Sequence, residues 1–181
     1  MIKPHGSDTL NSLLVTDADQ LQQLRNEAES LPSLLLNSAA AANAVMMGAG
    51  YFNPLTGYMN LADSLSVAET LHTVDGLFWP VPVVNLVKDA SAIEGAGRIA
   101  LRDPNTEGNP VMAIMDVDAI EQVTDAQIHM MAQEIFGTLD PEHPGVSTFT
   151  GLGRHMVSGN IQVLSLSYFQ ADFPDTFRTA N

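Results

Sequence analysis

Cysteine is absent from the 181 residues, and with it go disulfide frameworks, thiolate metal sites and cysteine nucleophiles. Basic residues are scarce: seven Lys and Arg stand against 21 Asp and Glu, a net charge of −14. They are also scattered, as Lys3, Arg25, Lys88, Arg98, Arg102, Arg154 and Arg178. A field of that sign repels phosphate backbones and anionic lipid, so neither nucleic acid nor a membrane surface is an expected partner. No run approaches the ~18 consecutive apolar residues that a membrane span needs. The opening Met1-Ile2-Lys3-Pro4-His5-Gly6 lacks an apolar stretch and a small-residue cleavage site, so no signal or transit peptide is read and the expected location is the cytoplasm. Internal repeats are missing, as is the βαβ alternation of a dinucleotide-binding sheet.

What is present fits one α+β domain, because a chain of this size removes roughly 70% of its unfolded surface on folding and supports one developed core. Asp17 can cap a helix whose apolar residues Leu21, Leu24, Ala28 and Leu31 recur at three- and four-residue spacing, until Pro32 ends it. Residues 33–37 read as a short buried strand. A second helix over 39–47, capped by Ser38, stops at Gly48-Ala49-Gly50, and a third runs from Asn60 to about His72. Trp79-Pro80-Val81-Pro82-Val83-Val84-Asn85-Leu86-Val87, residues 98–102 and residues 110–115 are expected to form an antiparallel meander, with Trp79 in its core and 103–109 as its long turn. The last of these is apolar throughout, as in a strand covered on both faces. Thr124 and Gln127 have capping-box spacing between the staple residues Val123 and Ile128, and Gly137 can end that helix. A loop over 141–146 and a final strand over 161–168 complete the reading.

Local motifs for chemistry are weak. Gly48-Ala49-Gly50 starts like a phosphate loop, but it follows a helix and lacks both the later glycine and a lysine. Gly151-Leu152-Gly153 fails similarly, although Arg154 beside it could meet an anion. The histidines, His5, His72, His129, His143 and His155, never fall at the two- to five-residue spacing of paired metal ligands. Asp116 with Asp118, and Asp172 with Asp175, could share acid and base work, yet such pairs arise by chance among 21 acids. No Gly-x-Ser-x-Gly elbow exposes a serine. The methionines fall on apolar faces and read as core.

Longer landmarks say more. Met46-Met47-Gly48-Ala49-Gly50-Tyr51-Phe52-Asn53-Pro54-Leu55-Thr56-Gly57-Tyr58-Met59, then Trp79-Pro80-Val81-Pro82-Val83, Ile99-Ala100-Leu101-Arg102-Asp103 and His143-Pro144-Gly145-Val146, resemble in order the amino-terminal domain of ATP sulfurylase, or sulfate adenylyltransferase. The closing stretch, Tyr168 to Arg178, is similar to that domain's end in bacterial forms. The resemblance implies a PUA-like twisted β-barrel with flanking helices over residues 1–181, and a catalytic nucleotidyltransferase domain after 181 as its partner, with homo-oligomers possible. In the complete enzyme it implies attack of sulfate on the α-phosphorus of MgATP, giving adenosine 5′-phosphosulfate and pyrophosphate, by way of a Gln-x-Arg-Asn-Pro segment followed by His-x-x-His. Neither Asn53-Pro54 nor Asn109-Pro110 has the preceding arginine, and no His-x-x-His occurs. No catalytic, cofactor-binding or metal-ligating residue is therefore assigned, and the segment alone is expected to be inactive. Two rival readings are an RNA-binding module, opposed by the charge, and a small hydrolase using His143 or His155.

Overall fold

The computed structural model describes residues 3–180, and its four longest helices start where side chains satisfy the free N–H groups of the first turn. In α1 (Ala18–Ala28) the Asp17 carboxylate accepts from the Gln20 N–H at 2.8 Å. In α2 (Ser38–Gly48) the cap is Asn37, not Ser38: its Oδ1 accepts from the Ala40 N–H at 2.9 Å. Asn60 does the same for α3 (Leu61–Thr70). The capping box of α4 (Asp125–Phe136) is complete in both directions, and Val123 and Ile128 are buried in one cluster. Such caps contribute about 1 kcal/mol each. Two short helices follow, α5 (Pro144–Thr150) and α6 (Phe169–Asp172).

Six strands make one open sheet: β1 (Ser33–Leu35), β2 (Gly57–Tyr58), β3 (Leu86–Val87), β4 (Arg98–Arg102), β5 (Val111–Gln122) and β6 (His155–Val163). The order is β1-β4-β5-β6-β2, with β1 parallel to β4 and the rest antiparallel, and β3 also on β6. The outer strands do not pair with each other, so the sheet is open where the resemblance implied a closed barrel. The α+β class stands.

The meander needs correcting. Residues 79–87 do not pair with β4; only Leu86 and Val87 form a regular ladder, and it lies on β6. Pro80 and Pro82 bring no N–H to a ladder, which limits the run to isolated bonds such as Met59 N–H to Val83 O at 2.9 Å. The far edge of β6 is thus covered piecewise, by β3 at His155 and Met156, by β2 at Gly159 and Asn160, and by Leu14 at Val163. The final strand runs over 155–163 and not 161–168.

Two-residue periodicity sorts the core. Ile99 and Leu101 of β4, with Ala113 and Met115 of β5, face the small side chains of α2, Ala40, Ala41 and Ala44. Ala100 and Ile114 point the other way, against Leu24 and Ala28 of α1. This is the two-sided burial read from the apolar run at 110–115. A third cluster joins α3 and α4 over β3 and Met156. Trp79 is 7% exposed and belongs to the main cluster.

Candidate functional site

Neither glycine loop is a phosphate cradle. The N–H groups of Ala49, Gly50, Tyr51 and Phe52 all donate back to carbonyls of α2, at Val45, Met47 and Met46. At the second loop Gly151 and Leu152 donate to Thr148 and Phe149, and Arg154 donates its backbone N–H to Val87 O. The Arg154 guanidinium is occupied too, by Asp125 at 2.6 Å and by the carbonyls of Thr150 and Gly153. It closes the α5–β6 junction instead of meeting an anion. Four other cations are engaged as well: Lys3 pairs with Asp8, Arg98 with Glu27 and Asp116, Arg102 donates to Asn109 O, and Arg178 donates to the carbonyls of Pro174, Asp175 and Phe177.

The histidines are dispersed. His5 Nε2 lies 2.8 Å from Phe78 O, and His72 Nδ1 lies 2.7 Å from Thr70 O. His129 is solvent-exposed on α4. His143 sits at the N-cap of α5, with Pro144 as the first helical residue, and its ring packs on Phe136 at 5.4 Å. The first residues of that helix, Pro144 to Val146, were expected as the end of a loop over 141–146. Among the described residues no group of three or more His, Asp or Glu is placed to hold a metal ion. Asp172 and Asp175 lie at the exposed carboxy-terminal end. The phenol of Tyr58 is no acid–base candidate, since burial pushes its pKa up while its hydroxyl donates to Ala40 O at 2.6 Å.

Two clefts flank the bulge of β5, where Asp118 is the extra residue between Val117 and Ala119. The smaller, about 250 Å³, lies along β2 and takes in Thr56, Asn60, Asp63 and Asn160. The larger, about 600 Å³, is formed by residues 89–97, the bulge, and His155 at the start of β6. Three carboxylates line it, Asp89, Glu94 and Asp118, with His155 as their one histidine neighbour. The Ser91 N–H, 2.8 Å from Asp89 Oδ1, and then the Ser91 hydroxyl hold the Asp89 carboxyl below its usual range; desolvation opposes them and the nearby His155 assists. Buried Nδ1 of His155 has no hydrogen-bond partner among the described residues. A cleft of this sign suits neutral or cationic groups and resists phosphates and sulfate. Sequence reading named His155 and Asp118 separately; Asp89 was missed, and its only local signal is the two-residue spacing to Ser91 that an Asx turn uses.

Comparison with known proteins decides the family. A family model described as a PUA-like domain matches residues 2–166. The chain belongs to the PUA-like domain family. This PUA-like domain is 62% identical over 180 residues to a sulfate adenylyltransferase of Alcanivorax borkumensis, and 61% identical to one of Allochromatium vinosum. Each alignment takes in 99% of this chain and 45% of the relative. A sulfate adenylyltransferase of Thiobacillus denitrificans is 34% identical, with 43% of its length covered. The chain therefore spans less than half the length of the curated relatives it matches, and corresponds to their amino-terminal region. Among solved structures, one described as a hexameric APS kinase from Thiobacillus denitrificans superposes with a TM-score of 0.70 at 27% identity. There the PUA-like domain covers 98% of itself and 29% of that chain.

Proposed function

We propose that this chain is the amino-terminal domain of a sulfate adenylyltransferase, a structural partner for a carboxy-terminal domain that carries the chemistry. One observation bears most of the weight. Identity of 62% runs through essentially the whole segment, yet more than half of that relative lies outside it. The reaction of the complete enzyme would be attack by sulfate on the α-phosphorus of MgATP, releasing pyrophosphate and forming adenosine 5′-phosphosulfate. Such an anionic pair needs converging cations or exposed N–H groups. Here the guanidinium groups of Arg98, Arg154 and Arg178 are turned to carboxylates and backbone carbonyls, and the larger cleft is acidic. MgATP accordingly belongs to the remainder of the enzyme, and no cofactor is assigned to this segment. A cytoplasmic homo-oligomer is the expected setting, supported by the hexameric description of the structural relative.

The experiment supplies MgATP, sulfate and inorganic pyrophosphatase to two proteins. Purified chain alone should form no adenosine 5′-phosphosulfate above background. The same chain joined at Asn181 to the remaining portion of the Alcanivorax relative should form it. Turnover by the chain alone, or none by the joined protein, would overturn the reading.

A further inference from the structure

Resting on that reading, we infer that an apolar surface strip presenting Tyr51, Phe78 and Val81, joined underneath by Phe52 and the buried Trp79, is where the carboxy-terminal portion of the enzyme docks. In a chain of net charge −14, residues 50–59 and 76–87 contain no charged side chain at all. Surface segments that avoid charge while exposing large apolar groups have the composition of an interface core. Tyr51, Leu71, Val74, Phe78 and Val81 are each 47% to 65% exposed. Tyr51, Phe78 and Val81 lie in these two stretches, which meet through the Phe52 and Trp79 rings, while Leu71 and Val74 extend the apolar surface along the neighbouring hairpin, whose tip also carries the exposed Asp75.

The contact runs through aromatic rings. Phe52 meets Trp79 edge-on at 5.6 Å, Trp79 meets His5 at 5.9 Å, and His5 meets Phe78 at 6.3 Å. Nor is the exposure a loose loop caught open. Residues 71–79 form a small hairpin, with Trp79 N–H to Leu71 O at 2.8 Å, Thr73 N–H to Leu77 O at 2.9 Å and a bridge between His72 and Phe78. The imidazoles of His5 and His72 sit edge-on to the Phe78 ring, which holds that side chain outward.

The occupant follows from what lies at the other end of the strip. The Tyr51 hydroxyl donates to Arg178 O at 3.0 Å, and the Ala180 N–H donates to Ala49 O at 2.8 Å. Residues 178–180 are thereby fixed beside Tyr51. In relatives of which this chain covers 45%, the polypeptide beyond the counterpart of Ala180 starts alongside the strip and needs no long excursion to cover it. A second copy is the weaker occupant, because it would bring another −14 field onto this one.

Cysteine reporters test this directly, since the chain has no thiol of its own. Val74→Cys and Phe78→Cys mark the strip; Glu29→Cys, exposed beyond α1, marks a remote surface. Maleimide modification is followed by peptide mass in the chain alone and in the chain joined to the remaining portion of the Alcanivorax relative. In the chain alone all three should react at similar rates at every protein concentration. In the joined protein the two strip cysteines should slow at least about tenfold, with Glu29→Cys unchanged. Val74 stands at the hairpin tip, so its variant reports even if Phe78→Cys unfolds. If the unsubstituted joined protein makes adenosine 5′-phosphosulfate while the strip cysteines keep their free rates, the docking surface is wrong and the functional reading stands. Concentration-dependent protection in the chain alone would assign the strip to a second copy and overturn the inference. An inactive joined protein would remove the functional reading, and this inference with it.

Discussion

Ser167 Oγ donates to Asp103 Oδ2 at 2.6 Å, tying the segment after β6 to the turn between β4 and β5 across 64 residues of chain. Asp103 is 1% exposed, and its carboxylate also accepts from the Asn105 N–H at 2.8 Å and from Thr106 Oγ1 at 2.7 Å. Three donors converge on it and no cation pairs with it among the described residues. Ser167 itself holds φ at +58°, a conformation a non-glycine residue keeps only when its surroundings fix it. Asp103→Ala would leave those donors facing a void and should cost roughly 2–4 kcal/mol, and Ser167→Ala about 1–2 kcal/mol. Urea unfolding of the single and double variants checks this; additive losses would mean the two residues act independently.

Gly159 lies inside β6 with φ at +151°, and a Cβ there would fall 2.0 Å from Asp116 O. Gly57 across the ladder is equally tight, its Cβ position 1.8 Å from Gly159 O. Gly159→Ala should therefore cost on the order of 3 kcal/mol or more, through overlap with a backbone that the bulge holds in place. Gly97→Ala, where nothing lies within 4 Å, is the control and should leave the thermal midpoint nearly unchanged. Equal midpoints for the two variants would remove the close-approach argument.

These two contacts explain what was legible in the sequence. Caps and the staple are contacts within a few residues, so Asp17 and the Thr124–Gln127 box could be read directly, whereas the α2 cap is Asn37, one residue before the expected Ser38. Gly159 could not, because a strand-interior glycine and a turn glycine look alike until the opposing carbonyl of Asp116 is in place. The last strand was expected over 161–168 and runs over His155–Val163, with Gly159 inside it. Likewise the β-forming run at 79–87 revealed apolar burial but not its partner, which is β6. The larger cleft was illegible for the same reason: Asp89, Asp118 and His155 come from three separated segments.

Trp79 packs against Phe52 and His5 and is 7% exposed, so Trp79→Ala should cost on the order of 3–5 kcal/mol by lost burial and a residual cavity. The same change withdraws support from the hairpin and from His5. Hydrogen exchange should therefore quicken at residues 71–79 beyond the global loss. A thermal melt that Trp79→Ala leaves in place would contradict the packing.

Asn85 is fully buried, yet neither its amide nitrogen nor its amide oxygen has a partner among the described residues. Its backbone carbonyl, by contrast, accepts from the Val157 N–H at 2.9 Å. Replacing the side chain by a leucine of similar shape removes an unpaired polar group, and Asn85→Leu should be neutral or stabilising by about 1 kcal/mol. Chemical unfolding that puts Asn85→Leu well below the parent would show that the amide is satisfied in solution.

Asp89 carries the acid response of the larger cleft. Its carboxyl is held below the ordinary value, first by the Ser91 N–H and hydroxyl and then by His155, so its folded pKa is lower than its unfolded one. A depressed carboxylate contributes stability that is present in full above the unfolded value, near pH 4, and is lost as pH falls through the folded value. The stability difference between the parent and Asp89→Asn should hence be full above the unfolded value, about pH 4, and shrink as pH falls through the lowered folded value. His155→Ala removes one of the lowering causes and should shift that loss to higher pH, whereas Lys88→Ala, outside the cleft lining, should leave it in place. Unfolding free energies measured across the acid range decide it: a parent-to-Asp89→Asn difference that stays flat down to pH 3 would mean the Ser91 turn gives the carboxylate no advantage in the folded state.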